Sequence, residues 1–448
     1  MAWFSLNIQN PSSMDKLPES LLLEILSRLD NSADVACCRV ASKAFNNVFP
    51  DLRSIKLLCS WRGTSGSISS SCFKKVFLDF ISKLRVVESV RIGLHDAIGV
   101  DPVDAEFLME WLPRVSQTLK SLSLSDLPFA KYCHNLAELN LRSARLSLDH
   151  LNPMPMLTTL TLECTILQDH HLHQLNKCFP NLQVLELVGI TGLKDPKIHL
   201  LNLQTCHLTL YSDLSSLTLI TPNLITLKIV LCGYHTAIHV EAPTLSLFHL
   251  SVDGQKHPAA FTAKKFENLK TLWLDSFYIG FLLSEFPTMK TVESLILDSR
   301  NIAPRDARDS KLTLGKVFMV FPNVSSLRIN SGAWSELEAC LDPQGWDIIL
   351  DGSKGLKMIC AYLMLVDPSL TFSYVACLLD QCVGLSVVSL LIHCGVDGTQ
   401  CKSFRSKCMA RWPGLKWRWG VWGKRMKDTW ITDLQITEHP KSSKKLRL

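Results

Sequence analysis

The sequence of 448 residues lacks the patterns that mark several common classes of protein. Its 16 cysteines include no CxxC pair, and no Gly-x-Ser-x-Gly elbow indicates a hydrolase. The stretch Gly63–Ser67 lacks the Lys-Ser/Thr pair of a phosphate-binding loop. The most apolar region, Gln381–Val396, is interrupted by polar residues, so we expect no transmembrane helix. Met1–Met14 carries no basic residue, and we therefore expect no signal peptide.

The composition indicates a folded protein of a reducing compartment. Apolar residues make up 47% of the chain and charged residues 20%, which is typical of a globular core rather than of disorder. Most cysteines lie beside strand-like leucines, where free thiols serve as small core hydrophobes, so we expect the cytosol or the nucleus. The net charge of +6 is uneven, because residues 401–448 carry thirteen basic and three acidic residues. The basic character therefore belongs to the C-terminal end.

No set of residues in the sequence predicts an enzyme. The densest group of possible metal ligands comprises His170, His171 and His173, with Cys164 and Cys178 nearby. A zinc site needs paired ligands at short fixed spacings, and this single His-x-His has no matching second pair. We interpret the group as a polar helical face. We predict no catalytic residue, no metal and no cofactor.

The stretch Leu17–Phe49 predicts short amphipathic helices. Pro18 is tolerated in a first helical turn. Apolar residues then recur at helical spacing, at Leu22, Ile25, Leu26 and Leu29. Asn31, followed three residues later by Asp34, resembles the capping box of a second helix. A module this small buries too little apolar surface to be stable alone, so its leucines must be covered by something else.

The order and spacing of these positions resemble the F-box, the helical module by which substrate receptors dock on the Skp-type adaptor of cullin ubiquitin ligases. The resemblance continues through the stretch Cys38–Lys43. Members usually carry a tryptophan soon after this Ser-Lys pair, whereas this chain has Phe45. The resemblance implies nine adaptor-binding residues: Leu17, Pro18, Leu21, Leu22, Ile25, Leu26, Leu29, Val35 and Val40.

From Leu52 onward the pattern L-x-x-L-x-L recurs, often after Pro-Asn. Apolar and polar residues alternate within each copy, which predicts a strand with one buried face. Most copies are separated by about the 20–29 residues of a leucine-rich repeat, or by that length with an insertion. The copies at Leu214 and Leu224 are too close for two turns of one solenoid, so one of them must be a strand on another face or part of a β-hairpin. A weak copy is predicted at Leu356–Ile359.

Repeats of this kind bury their apolar faces only by stacking, which predicts a solenoid with a parallel sheet along its concave side. The whole chain resembles the plant F-box/leucine-rich-repeat proteins. That resemblance implies an α/β fold in which short N-terminal F-box helices precede an irregular leucine-rich-repeat solenoid. We predict four segments: a flexible N-terminus at 1–13, the F-box at 14–50, the solenoid with a Trp-rich cap at 51–430, and a basic tail at 431–448.

The same resemblance implies a non-catalytic function. The chain would be the substrate-recognition subunit of an SCF-type ubiquitin ligase, with the F-box on the Skp-type adaptor, a cullin beyond it, and an unidentified target protein on the repeats. We expect no membrane partner. Polar residues between the strand leucines should project from the concave face, so we name four candidate target-binding residues: Lys228, Lys270, Trp273 and Arg328.

The stretch Arg411–Trp430 combines five of the 11 tryptophans with several basic residues. It fits a cap on the open end of the solenoid, which we favour, because alternating Trp and basic residues supply an apolar and a polar face. A basic site for an anionic ligand and a nucleic-acid site built on stacking stay open. The alternative for the whole chain is therefore a repeat scaffold outside any ligase, or a nucleic-acid-binding protein that uses this end.

Overall fold

The structure is a computed structural model. It describes residues 17–29, 31–60, 70–95, 105–124, 133, 135–143, 152–211, 213–232, 236–252, 261–263, 266–277, 279–299, 312–339, 355–424 and 426–431. The predicted N-terminus at 1–13, the predicted tail at 431–448 except for Ile431, and the stretch Gly63–Ser67 lie outside these residues. The chain forms two compact units, one of Met1–Ser212 with Ile220–Pro222 and one of Asp213–Leu219 with Asn223–Leu448. The predicted segment boundaries stay predictions.

The first unit begins with three helices and continues with strands that alternate with helices or loops. Its elements are α1 (Glu19–Arg28), α2 (Ser32–Ala41), α3 (Lys43–Val48), a 3-10 turn (Phe49–Asp51), β1 (Ser54–Ser60), α4 (Ser70–Ser82), β2 (Ser89–His95), α5 (Ala105–Val115), β3 (Ser121–Leu124), β4 (Glu138–Arg142), β5 (Thr159–Glu163), α6 (Asp169–Cys178), β6 (Val184–Ile190), β7 (Lys197–His199) and β8 (Thr205–Leu210).

Seven strands of this unit, β1 to β6 and β8, lie side by side in chain order and pair in parallel. The register aligns the repeat leucines into one buried row: Ile55, Val90, Leu122, Leu139, Leu160, Leu185 and Cys206. The last member marks a repeat that the leucine pattern missed. Strand β8 follows Leu203, but a fully buried cysteine takes the place of the second leucine.

The second unit has the same alternation. Its elements are β9 (Ser216–Ile220), β10 (Thr226–Leu231), β11 (Ala237–Glu241), β12 (Leu247–Val252), β13 (Phe261–Ala263), β14 (Thr271–Ser276), α7 (Ile279–Ser284), β15 (Ser294–Ser299), α8 (Leu314–Val320), β16 (Ser326–Ile329), α9 (Ser331–Ala339), β17 (Met358–Leu363), α10 (Pro368–Gln381), β18 (Val387–His393), α11 (Gly398–Arg411), β19 (Lys416–Trp422) and β20 (Thr429–Ile431).

Strands β10, β12 and β14 to β20 neighbour one another in that order. All of these pairs are parallel except the last, in which β20 returns antiparallel to β19. The close copies at Leu214 and Leu224 are thereby resolved, because β9 belongs to a smaller sheet with β11 and β13, whereas β10 lies in the large one. The weak copy at Leu356–Ile359 leads into β17. The predicted α/β fold, with short N-terminal helices and a large parallel leucine-rich-repeat sheet, is confirmed.

Most strands of the large sheet begin with the same hydrogen bonds to the preceding turn. At the start of β6, the backbone N–H groups of Gln183 and Val184 both donate to the carbonyl of Thr158, at 2.8 and 2.9 Å. An asparagine in the turn before several strands adds a side-chain bond, because its Nδ2 donates to a carbonyl of the previous turn. Five such asparagines, with bonds of 2.7 to 3.0 Å, are Asn135, Asn181, Asn202, Asn268 and Asn323. The sequence predicts the turn but not this bond between repeats.

Helix α9 packs against the end of β15 at a position that requires glycine. A Cβ atom on Gly332 would lie 1.7 Å from the carbonyl oxygen of Ser299. This close approach also buries the carboxyl group of Glu336, and burial raises its pKa even though Ser299 and the backbone of Leu312 hydrogen-bond to it. A carboxylate is therefore held in an environment that favours its neutral form.

We predict that Glu336→Gln stabilises the chain at neutral pH. The pKa of Glu336 is higher in the folded chain than in the unfolded chain, so the folded chain binds more protons and loses stability as the pH rises through that pKa. The midpoint of urea unfolding should therefore be higher for the variant at pH 7.5, and the difference should vanish below the ordinary glutamate pKa. An equal or lower midpoint at pH 7.5 would contradict this prediction.

Candidate functional site

A single apolar core joins the N-terminal helices to the first repeat. Buried side chains of α1 to α3 and the 3-10 turn pack with Leu52, just before β1, and with Phe80 of α4. The core consists of Leu22, Leu26, Val35, Phe45, Val48, Phe49, Leu52 and Phe80. The need for outside cover that the sequence predicts is thus met on one side by the first repeat.

Polar contacts fix the same junction. The hydroxyl of Ser32 accepts a hydrogen bond from the backbone N–H of Lys56 in β1, at 3.1 Å. The backbone N–H of Arg85 donates to the carbonyl of Pro50 at 2.9 Å, and its guanidinium lies 2.6 Å from the carboxylate of Asp51. These bonds leave no flexible linker between the helical module and β1.

The helices begin at side-chain caps. The Asn31 side chain accepts from the backbone N–H of Ala33 at 3.1 Å, which confirms its role as the cap of α2. Ser42 caps α3 by accepting from the N–H groups of Ala44 and Phe45. The cap at Ser42 is not among the predictions made from the sequence, although a serine before a short apolar run is a signal for such a cap.

The structure separates the nine predicted adaptor-binding residues by burial. Three are fully buried in the module core: Leu22, Leu26 and Val35. Three are half-buried and pack against that core: Leu17, Ile25 and Leu29. Three are exposed: Pro18, Leu21 and Val40. A partner could touch the buried three only if the module opened, so their role is to support the surface, and contact with the other six stays a prediction.

The exposed residues form apolar stripes on two helices. On α1, Leu21 and Ile25 lie one turn apart, next to the buried stripe of the same helix. On α2, Ala33, Cys37 and Val40 share the exposed face by helical spacing. Leu21 is 45% exposed and Val40 is 90% exposed. Apolar surface of this kind marks a site of interaction more often than an isolated exposed residue does.

Phe45 occupies the core rather than this surface. Its side chain is 4% exposed and packs within the cluster that joins the helices to the first repeat. The departure from the tryptophan of the family pattern is therefore a change in internal packing. It leaves the exposed stripes of α1 and α2 unaltered in composition.

We predict a large loss of stability on truncating Phe45 and almost none on truncating Val40. Phe45→Ala leaves a cavity in the junction core and should lower the free energy of unfolding by about 3–5 kcal/mol. Val40→Ala removes only exposed atoms and should change it by less than about 0.5 kcal/mol. Chemical denaturation followed by circular dichroism measures both. A similar loss for the two variants would show that Val40 is not on a free surface.

The second candidate surface is the face of the large sheet opposite the buried leucines. In the second unit, eight parallel strands each place one residue in a single row across this face, which we name the central row. Its members are Lys228, His249, Trp273, Ile296, Arg328, Cys360, Ser389 and Arg418. Three of the four candidate target-binding residues, Lys228, Trp273 and Arg328, thus share one row.

Lys270 lies outside the central row. It precedes β14 by one residue, and its ammonium group lies 3.7 Å from the carboxylate of Glu293, with both side chains exposed. Such an exposed ion pair contributes little to stability. Its position at the entrance to the strand separates it from the other three candidates.

Two parts of the central row have distinctive contacts. The rings of His249 and Trp273 stack in parallel, with centroids 4.1 Å apart and an interplanar angle of 7°. The guanidinium of Arg328 donates to the hydroxyl of Tyr362 in β17, and that hydroxyl donates to the carboxylate of Asp428 at 2.6 Å. Burial raises the pKa of Tyr362, and its hydrogen bond to Asp428 adds to the shift. Tyr362 is therefore a donor at neutral pH.

The Trp-rich stretch closes the described sheet. Its indoles pack onto the last repeats: Trp419 is buried, Trp412 donates to Asp380 at 2.9 Å, and Trp422 donates to the carbonyl of Leu363 at 3.2 Å. The basic side chain of Arg418 is exposed, with its guanidinium 4.6 Å from the ring centroid of Trp430. This arrangement fits the predicted cap, in which tryptophans face the repeats and basic groups face outward.

The histidine group on α6 serves the helix itself. The ring nitrogen Nδ1 of His171 accepts from the backbone N–H of Gln168 at 3.2 Å, as the second half of a capping box. Within the part of the chain that the structure describes, no group of three or more His, Cys, Asp or Glu residues could hold a metal ion. Among the same residues, no helix is long and apolar enough to cross a membrane.

A three-helix module fused to a parallel sheet of leucine-rich repeats defines the class of F-box repeat proteins. Two proteins of Arabidopsis thaliana are similar to this chain. The F-box/LRR-repeat protein At4g29420 is 32% identical over 451 residues, which covers 93% of this chain and all of that protein. The F-box protein At1g10780 is 26% identical over 247 residues, 49% of this chain and 55% of that protein. No protein-family model matches the chain. The chain belongs to the F-box/LRR-repeat proteins.

Proposed function

We propose that the chain is the substrate-recognition subunit of an SCF-type ubiquitin ligase. The observation that carries the proposal is the pair of exposed apolar stripes on α1 and α2, beside a core that the first repeat completes from the other side. A Skp-type adaptor could cover these stripes without disturbing the fold. Burial of their apolar area would stabilise the complex by about 25 cal/mol per Å². Membership of the F-box/LRR-repeat proteins supports a receptor role in general.

The mechanism we propose is proximity. The adaptor would connect the chain to a cullin, and the repeats would hold a target protein near the ubiquitin-charged enzyme. Holding two reactants together replaces a bimolecular encounter by a local one at high effective concentration. The chain itself would supply binding and position rather than a catalytic group, and it would act in the cytosol or the nucleus.

The short junction matters for this mechanism. The hydrogen bonds between Ser32 and Lys56 and between Arg85 and Pro50 hold the module directly on β1. The module is therefore held at a fixed angle to the first repeats. A flexible linker would instead spread the target over many positions and lower its effective concentration at any one of them.

We predict that charge on the exposed stripes weakens adaptor binding. Leu21→Asp and Val40→Asp each place a carboxylate where the adaptor would bury apolar area. Each should lower the affinity roughly thirtyfold, the effect of about 2 kcal/mol at an interface hot spot. The measurement is a pull-down of purified Skp-type adaptor with the full chain, followed by calorimetry.

Val383→Asp is the matched control, because Val383 is 89% exposed and lies in the second unit. It should bind the adaptor as the wild type does. Circular dichroism must show that all three variants are folded. Failure of the wild-type chain to bind the adaptor, or equal binding by the Leu21 and Val40 variants, would overturn the proposed function.

A further inference from the structure

An acidic side chain of the protein itself, Asp428, contacts residues at the central row. Asp428 lies in the connection between β19 and β20, yet its carboxylate reaches Tyr362 on β17 and lies 3.9 Å from the guanidinium of Arg328 on β16. The side chains of Arg328, Tyr362 and Asp428 therefore connect β16 and β17 with the residue that precedes β20. A short stretch near the end of the repeats thus places a carboxylate on the face where target recognition is expected.

Asp428 does not occupy the hydrogen-bonding positions of the Arg328 guanidinium. A guanidinium has five N–H donors in a planar fork that matches a carboxylate. Arg328 donates to the hydroxyl of Tyr362 and, at 3.4 Å, to the side chain of Asn330, whereas its approach to Asp428 is longer than a hydrogen bond. Its side chain is 43% exposed. A carboxylate from outside could therefore take a closer, two-point position.

Further cations lie in the same row. Lys228 is at one end on β10, and the exposed Arg418 is at the other end on β19. With about 4.8 Å between neighbouring strands, Arg328 lies roughly 14 Å from Arg418 and roughly 19 Å from Lys228 along the sheet. An extended chain advances about 3.3 Å per residue. Acidic residues about four or six positions apart would therefore match these spacings.

The surface between the cations is flat and apolar. The stacked rings of His249 and Trp273, followed by Ile296, lie between Lys228 and Arg328 in the central row. On the N-terminal side of the row, Leu247 is 39% exposed and Met358 is 46% exposed. An extended segment could lay an apolar side chain there between its acidic residues.

Two further acidic groups of this face, on the other side of the row, already accept hydrogen bonds. Asp275 accepts from the hydroxyl of Ser251 at 3.0 Å, and Asp298 accepts from the side chain of Asn330 at 2.9 Å. Both lie two residues further along their strands than the central row, at a distance of about 7 Å. They would direct an acidic segment toward the apolar, N-terminal side of the row.

We propose that the sheet face that carries the central row binds an extended acidic segment of the target. A carboxylate of this segment displaces Asp428 from Arg328 and Tyr362. The inference rests on the proposed function, because it states the chemistry of the target. Asp428 would act as an internal competitor: it keeps the charge of Arg328 compensated in the free protein and discriminates against segments that offer no acid at this position.

The test is a selection of random decapeptides displayed on phage, with the full chain immobilised. Wild-type chain should enrich peptides that carry two Asp or Glu residues about four positions apart. Arg328→Gln should lower the recovery of those peptides about tenfold or more, as expected for loss of a charge-assisted contact. Asp428→Asn should raise their recovery, because the competing carboxylate is gone.

Lys407→Gln is the matched control, since it removes a positive charge that is exposed on α11 and lies outside the central row, and it should leave the selection unchanged. Selection of neutral or basic peptides, no enrichment at all, or an acidic preference that survives Arg328→Gln would overturn the inference. Adaptor capture is measured on the same variants. If the acidic selection fails while adaptor capture persists, only this inference is lost, whereas the reverse result removes the proposed function alone.

Discussion

The structure depends first on the packing of the helical module against Leu52 and Phe80. Three short helices cannot bury enough apolar area to be stable alone, and the first repeat has an open end that needs cover. Each therefore completes the core of the other. Because the core is shared, the module has a free side only where α1 and α2 turn away from the repeat, and this is where the exposed leucine and valine side chains lie.

The second constraint is the register of the repeats. Paired N–H groups at the start of most strands of the large sheet donate to one carbonyl of the preceding turn, and asparagines of the turns add a further bond. These bonds leave no freedom for one strand to slip against the next. Residues that are dozens of positions apart in sequence, such as Trp273 and Arg328, consequently fall in one line across the sheet. The binding face is thus a product of the same bonds that hold the stack together.

The spacing of residues in the sequence predicts many of the helices and strands, but it does not predict which of their side chains are exposed. Helical period predicted the helices of the N-terminal module, and the leucine pattern predicted most strands of the large sheet, because both depend on local patterns. The pattern missed β8, where Cys206 replaces a leucine, and the antiparallel β20. Leu21 and Leu22 look equivalent in the sequence, yet one is exposed and the other buried, since only packing against α3 and the first repeat distinguishes them. The contact between Asp428 and Tyr362 joins residues too far apart for any local pattern to reveal.

The central claim is that the helical module and the first repeats share one core and open together. Native-state hydrogen exchange on the full chain tests it most directly. The account predicts that the amides of Leu26 and Phe49 exchange with the same opening free energy as those of Ile55 and Val90. If the amides of the helical module exchange at a clearly lower free energy while β1 and β2 remain protected, the module opens on its own and the account is contradicted.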